Sequence, residues 1–87
     1  MIKGTTTSGF EFEIEKEALD DYELIEMIAE LDDGKTSNLP KIYERLLGKE
    51  QKKALMEFLR KDGRVSFTEM SKAFFEIMNA IKEGKNS

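Results

Sequence analysis

The apolar residues of this chain change their spacing once, and that change constrains the fold more than any other feature. Phe10, Phe12 and Ile14 alternate with glutamates, a period that predicts a β-strand with one apolar face. From about Leu19 onward, apolar residues recur every three or four positions, which is the spacing of amphipathic helices. The sequence therefore predicts an α+β fold that is mostly α, with an N-terminal β-hairpin packed against a bundle of about four helices.

The register of the predicted hairpin follows from the need to keep one face apolar. A three-residue loop at 7–9 pairs Ile2 with Ile14, so that both side chains lie on the apolar face. A two-residue loop would pair Ile2 with Glu15 and place Ile2 on the polar face. We therefore expect the longer loop, with Gly9 as its left-handed residue.

Stop and start signals set the expected limits of the helices. Asn38 is a candidate N-cap with Pro40 in the first turn that follows, and Gly48 is expected to end that helix. Ser66 and Glu69 have the spacing of a capping box, which places a helix start directly after Ser66. The predicted elements form a single domain at 1–83, with a hairpin at 2–15 and helices at about 19–32, 39–47, 49–61 and 67–83, followed by a polar tail at 84–87.

The helical stripes predict which side chains face the core. Phe75 is the exception, because it lies about 100° round its helix from Phe74, among polar residues. It either marks a binding surface or is covered by the hairpin or a neighbouring helix. The residues expected to face inward include Leu24, Ile25, Ile28 and Leu31 in the first helix and Ala54, Leu55, Phe58 and Leu59 in the third.

The residue types that are missing exclude several kinds of chemistry. The 87 residues contain neither histidine nor cysteine, which removes the usual nucleophile–base pairs and the commonest metal ligands. We therefore expect no enzymatic activity and no cofactor. The absence of cysteine fits a reducing cytosol. No apolar run approaches the ~20 residues of a membrane span, and the N-terminus has no signal-peptide pattern, so we expect no membrane association.

Charge is divided sharply along the chain. Residues 1–40 carry three lysines against eleven acids, a net charge of −8, whereas residues 41–87 carry a net charge of +4. The total of −4 and a pI near 4.9 argue against general nucleic-acid binding, which requires net positive charge. The division predicts two unlike faces, and the basic helices of the second half could dock on an acidic partner or on the acidic half of another copy.

Two groups of residues have acids at a spacing that could bind a metal ion. Asp20, Asp21, Glu23, Asp32 and Asp33 could hold a divalent ion, but acids at helix ends are ordinarily explained by the helix dipole and by solvation.

The second group resembles the latter half of an EF-hand calcium loop. With Gly63 at loop position 6, Glu69 falls at position 12 as the pattern requires. Positions 1 and 3 are then Phe58 and Arg60, and neither side chain has an oxygen ligand. A turn and a helix cap at Ser66 explain these residues better, although a degenerate EF-hand-like domain stays an alternative.

Several short sequence segments occur in an order that resembles a known protein family. The chain resembles the small tail assembly chaperones of long-tailed (siphovirus-type) bacteriophages and prophages, and the resemblance runs from about residue 3 to 80. The phrases that carry it are SGFEFEI at 8–14, LDDYELIE at 19–26, a proline at 40, LLGKEQK at 46–52 and LRKDGRV at 59–65.

The resemblance implies a role without catalysis. Proteins of this family are thought to coat the long, helical, aggregation-prone tape-measure protein while tail subunits assemble. The expected partners are thus the tape-measure protein, with the tail tube protein as a further candidate, and other copies of the same chain in a homo-oligomer. The expected location is the bacterial host cytoplasm and not the mature virion. The family has no catalytic residues to carry over to this chain.

A client-binding protein needs apolar surface beside charge, so residues at the edges of the apolar stripes are the candidates for partner binding. These are Met27, Tyr43, Leu47 and Phe75. The alternative function is a small phage or prophage regulator that binds a host protein or nucleic acid. A nucleic-acid regulator would gather its basic helix surfaces on one face.

Overall fold

The structure, a computed structural model, describes residues 1–84, with side chains up to Lys82; the rest of the predicted polar tail lies outside the described residues. It has a two-stranded antiparallel sheet followed by helices, as the α+β prediction required. The elements in chain order are β1 (Ile2–Thr5), β2 (Glu11–Ile14), α1 (Lys16–Leu19), α2 (Tyr22–Asp32), a 3-10 turn (Thr36–Asn38), α3 (Leu39–Leu59) and α4 (Phe67–Gly84).

The hairpin has the predicted register. Ile2 pairs with Ile14, and Gly9 has a positive φ of 104° in the loop at 7–9. The loop is closed by Thr6, whose amide donates to the Phe10 carbonyl at 2.8 Å and whose hydroxyl accepts from the Phe10 amide at 3.0 Å. The apolar face of the hairpin packs mainly on α4 and α3, where Ile14 is buried.

The predicted start of the first helix is wrong. We expected one helix from about Leu19, but a single turn, α1, ends at Leu19, and α2 begins separately at Tyr22. Asp21 is the N-cap of α2 in an extended conformation, and its carboxylate accepts a hydrogen bond from the Leu24 amide at 3.2 Å. An Asp side chain competes for backbone donors in this way, so it favours a cap over a position inside the helix.

Helix α3 consists of two segments joined at Gly48. The backbone of Gly48 is non-helical, with φ 83° and ψ 162°, so the helical segments meet at a kink where the sequence predicts one helix to end. This conformation is open to glycine at little cost. At the N-terminus, Pro40 lies in the first turn as predicted, but Asn38 makes no side-chain cap. The side-chain amide nitrogen of Asn38 instead donates to the Glu30 carboxylate at 2.6 Å, and this bond connects the end of α2 to the start of α3.

The connection from α3 to α4 is a tight turn. Helix α3 ends at Leu59, two residues before the predicted limit, because Arg60 is extended. Lys61 and Arg64 then exchange backbone hydrogen bonds of 2.9 and 3.1 Å. Helix α4 begins at the predicted position, and the Glu69 amide donates to the Ser66 hydroxyl at 3.2 Å, so the first half of the predicted capping box is confirmed.

One buried cluster unites the hairpin and the helices. Its aromatic centre is Tyr43, whose ring lies edge-on to Phe74 with 6.2 Å between the ring centroids. Three residues predicted to face inward, Ile25, Ala54 and Phe58, are exposed, whereas Leu24 and Leu55 of the same stripes are buried, so each stripe is only partly covered. The buried apolar residues are Phe10, Phe12, Ile14, Leu24, Leu39, Ile42, Tyr43, Leu46, Leu47, Leu55, Ala73, Phe74, Ile77 and Ile81.

Candidate protein-binding site

An apolar groove lies between the two segments of α3 and the start of α4. Its volume is about 270 Å³, and Lys52 is the one charged residue among those that line it. Two wider depressions, of 570 and 580 Å³, have mainly polar and charged residues among those that line them. The residues that line the groove are Leu39, Pro40, Tyr43, Lys52, Met56, Val65, Phe67 and Met70.

Tyr43 forms the inner wall of the groove and is fixed in place. It is fully buried, and its hydroxyl donates a 2.6 Å hydrogen bond to the Met70 carbonyl. Burial, and then the nearby Glu76 carboxylate, raise the pKa of the Tyr43 hydroxyl, so it stays protonated and keeps donating. This bond joins α3 to α4 across the groove. Because the bond fixes the two walls relative to each other, the groove is a preformed feature of the fold.

The groove opens onto an apolar edge of α4. Phe67, at the mouth of the groove, and Phe75, two turns further on, are each 54% exposed. They are separated by about 12 Å along the helix axis and by about 80° around it. Ser71 and Met78, both half-buried, lie between them in angle. We call these four residues the α4 apolar edge. The two exposed rings are candidate contacts for a protein partner.

One lysine lines the groove, and two more lie near the carboxylate with which it pairs. Lys52 binds the Glu44 carboxylate at 3.0 Å, and this hydrogen bond, with the additional fields of Lys49 and Lys41, holds the pKa of Glu44 below its usual range. Lys52, Lys49 and Lys41 thus all favour the ionised form of one carboxylate. No salt bridge to Lys41 or Lys49 occurs among residues 1–82. The groove therefore presents apolar surface with one lysine in its lining, and that lysine is paired with Glu44.

The four predicted partner-binding residues have different surroundings. Phe75 is exposed, so the hairpin does not cover it, although its ring packs edge-on to Phe74 with a centroid separation of 5.5 Å. Met27 is half-buried beside the core. The prediction that Tyr43 and Leu47 lie at accessible stripe edges is wrong, because both are buried where the first segment of α3 crosses the core. Of these two, Tyr43 still contributes its inner surface to the groove.

The acids near the start of α2 are engaged in a structural contact. Arg45 binds Asp21 at 2.8 Å and Glu23 at 3.3 Å, which fastens α2 to α3. The Arg45 hydrogen bond, followed by that from the Leu24 amide, lowers the pKa of Asp21. A general acid near neutral pH needs a raised pKa, so this carboxylate has the opposite property.

The basic helix residues do not form one uniformly free surface. Arg45, Lys52 and Arg60 each bind a carboxylate, and the Arg60–Glu57 pair is 2.6 Å long. This arrangement neutralises part of the positive charge that a phosphate backbone would require.

The EF-hand-like residues are accounted for by the turn and the cap described above. Among the described residues no group of three or more acidic side chains is placed to hold a metal ion. Within the same residues, no helix combines the length and the apolar character needed to cross a membrane.

The groove itself is not apparent in the sequence. Pro40 and Val65 lie outside regular helical stripes, and Lys52 and Met56 belong to a helix segment whose orientation depends on the kink at Gly48. The sequence offers one hint: Val65 and Met70 occupy the two positions around the Ser66 cap whose apolar side chains often pack together at a helix start.

Comparison of the chain with protein-family models, with curated proteins and with solved structures finds no match.

Proposed function

We propose that this protein is a tail assembly chaperone of a long-tailed bacteriophage or prophage, and that it binds the tape-measure protein without catalysing a reaction. In this proposal it acts in the host cytoplasm during tail assembly and is absent from the mature virion. The tail tube protein is a second candidate partner.

The observation that supports the proposal most strongly is the apolar groove that continues into the α4 apolar edge. An amphipathic helix binds such a groove by inserting apolar side chains spaced three, four and seven residues apart. The distance of about 12 Å from Phe67 to Phe75 spans roughly eight residues of a client helix lying parallel to α4. A tape-measure protein is long and helical and offers many such segments.

The chemistry of the surface favours reversible capture. A groove of about 270 Å³ admits only one or two large side chains at a time, so each contact is small. The lysines around Glu44 would pair with acids that flank the apolar face of a client helix, which favours fast association. A chaperone that must be released before the tail is complete requires weak contacts of this kind. Tail subunits that assemble on the client can then displace the chaperone from it.

The test is co-expression with the long helical protein encoded directly downstream, followed by size-exclusion chromatography with light scattering. We expect the client to be soluble only when this protein is present, and the two to elute together. A client that stays insoluble beside the free protein would exclude the chaperone function and favour the regulator instead.

Variants assign the binding to the proposed surface. Phe67→Ser and Phe75→Ser remove exposed rings and should reduce client recovery roughly tenfold, the size of effect expected for an anchoring aromatic. Phe58→Ser is the matched control, because Phe58 is 48% exposed but lines a different depression beside Ser8. Equal loss with all three variants would show that capture is non-specific.

A further inference from the structure

The outer face of α2 is an apolar surface that stays exposed in the described part of the chain. Tyr22 is 76% exposed and Ile25 is 51% exposed, although the opposite face of the same helix buries Leu24 completely. Exposed Ala29 lies between them in angle, so the three residues form a strip about 60° wide and about 10 Å long. We call Tyr22, Ile25 and Ala29 the α2 outer face.

Exposed acids lie along both borders of the α2 outer face. Glu26 lies about 40° beyond Tyr22 on one side, and Asp32 lies about 20° beyond Ile25 on the other. No salt bridge to either carboxylate occurs among residues 1–82, and helix α2 contains no lysine or arginine. The apolar strip is thus flanked by negative charge that the described residues do not neutralise.

The acidic excess of the chain is concentrated around this helix. Residues 15–33 contain nine acids and one lysine, a net charge of −8, which equals the net charge of all residues 1–40. Arg45 and Lys35 bind three of these acids, and no salt bridge to the other six occurs among residues 1–82. A charge of this size acts beyond contact distance and therefore attracts partners of positive charge.

Helix α2 is fixed near both of its ends. Near its N-terminus, Arg45 of α3 binds Asp21 at 2.8 Å. Toward its C-terminus, the Asn38 side-chain amide donates to the Glu30 carboxylate at 2.6 Å. Because the helix is held before it meets a partner, little conformational freedom is lost on docking.

We propose that the α2 outer face binds an amphipathic helix of a partner protein, one whose apolar stripe is bordered on both sides by lysine or arginine. Two helices pack by fitting apolar side chains of one between those of the other. The acids on both borders pair with the basic residues of the partner, and the Tyr22 ring offers its face to one of these cations.

The same charges disfavour the other ligands that exposed apolar surface could take. Acids on both borders repel the phosphates of nucleic acids and of anionic lipid headgroups. A partner helix with an acidic border is repelled in the same way. A strip of three residues buries little apolar area, so the contact belongs to the weak class of interfaces and should weaken as salt rises.

The α2 outer face is separate from the groove. None of its three residues lines the groove, and the one lysine in the groove lining is paired with Glu44. The proposal therefore stands whether or not the groove binds a tape-measure protein.

The test uses two designed helical peptides with the same leucine stripe, bordered by lysines in one and by glutamates in the other. Titration into the ¹⁵N-labelled protein, followed by NMR, gives both the affinity and the place of binding. The lysine peptide should bind at least roughly tenfold more tightly than the glutamate peptide, and less tightly as salt rises. The largest amide shifts should occur at Tyr22, Ile25 and Ala29.

Two variants and a charge-matched control assign the contact. Ile25→Lys places a like charge in the strip and should raise the Kd of the lysine peptide roughly tenfold. Glu26→Gln combined with Asp32→Asn removes an acid from each border and should reduce the preference for the lysine peptide. Glu11→Gln combined with Glu50→Gln removes the same charge from exposed positions outside α2 and should leave most of that preference. All five side chains are exposed, so the variants should keep the melting temperature of the parent.

Several results would overturn the proposal. The two peptides could bind equally, or neither could bind at up to about 1 mM. The preference could survive the loss of both border acids, or the shifts could fall on the groove residues. Shifts of the α2 outer face that depend on the concentration of the protein alone would assign this face to a second copy.

Client capture separates these results from the proposed chaperone function. Ile25→Lys leaves the residues of the groove unchanged, so it should recover a groove-bound client as the parent does while it loses the lysine peptide. Phe67→Ser should do the reverse, because Phe67 lines the groove and lies outside the α2 outer face. Loss of the lysine peptide with Phe67→Ser, and its retention with Ile25→Lys, would place the peptide in the groove and contradict the proposal.

Discussion

Gln51 binds the backbone of Glu13 with both ends of its side-chain amide. Its oxygen accepts from the Glu13 amide at 2.8 Å, and its nitrogen donates to the Glu13 carbonyl at 2.6 Å. The same nitrogen also donates to the Leu47 carbonyl at 2.8 Å, beside the kink at Gly48. The side chain thus pairs with the open edge of β2 as a neighbouring strand would, and it fastens the hairpin to α3.

The Gln51→Glu substitution should destabilise the fold more than its small change in size suggests. The new carboxylate can accept from the Glu13 amide but cannot donate to the carbonyls of Glu13 and Leu47, so we expect a loss of about 1–3 kcal/mol at pH 7. Because the charged form is disfavoured in the folded protein, the cost should shrink as pH falls toward about 4. Urea unfolding at both pH values measures this, with Glu50→Gln as the exposed neighbour that should change little.

The tyrosine hydroxyls offer a direct comparison of a bonded and an exposed group. Tyr43→Phe removes the 2.6 Å bond to the Met70 carbonyl and should lower the free energy of unfolding by about 1 kcal/mol. Tyr22→Phe removes a hydroxyl from a side chain that is 76% exposed and should have an effect within about 0.5 kcal/mol. Equal effects in chemical denaturation would show that the Tyr43 bond does not stabilise the groove wall.

Gly4 is required by the close approach of Phe12. A Cβ atom at this position would lie 2.7 Å from the end of the Phe12 ring and 3.3 Å from the Cβ of Ala80. The ring is buried, so Gly4→Ala should destabilise the protein by about 1–3 kcal/mol, although alanine is otherwise no worse in a strand.

A double-mutant cycle with Phe12→Leu identifies the cause. In that background the closest ring atom is gone, and Gly4→Ala should cost clearly less than it does in the parent. An unchanged cost would mean that the backbone, and not the ring, rejects the methyl group.

The ion pair between Arg45 and Asp21 predicts a pH dependence. The pKa of Asp21 is lowered in the folded protein, first by the Arg45 hydrogen bond, so its contribution to stability is present above the unfolded pKa of about 3.9 and is lost as pH falls through the lowered value. Arg45→Met should therefore lower the melting temperature at pH 7, and the difference from the parent should shrink under acid conditions. Thermal melts from pH 7 to about pH 2 test this.

Lys72→Met is the control for the loss of one positive charge, because Lys72 is exposed and no salt bridge to it occurs among residues 1–82. A parallel pH dependence in both variants would attribute the effect to net charge and not to the Asp21 contact.

Local rules account for the parts of the fold that the sequence predicts well. The hairpin register follows from alternation, because a slip of one residue would expose Ile2 and Ile14 together. The start of α4 follows from the Ser66 hydroxyl, which accepts the Glu69 amide within a single turn. The start of α2 is less predictable, because three consecutive positions, Leu19 to Asp21, are all compatible with a helix N-terminus, and the Arg45 contact favours the last.

Periodicity, turn residues and caps act over a few neighbouring positions, so the hairpin, the approximate limits of the helices and the division of charge can be predicted from the sequence. The packing of the elements against each other sets which side chains of each stripe are covered, so that Tyr43 and Leu47 are buried while Ile25 and Phe58 are exposed. The groove belongs to the same class, since its walls come from residues up to 31 positions apart that meet only after α3 bends at Gly48. Exposure depends on the angle at which helices pack, and that angle is set by the whole core and not by any one segment.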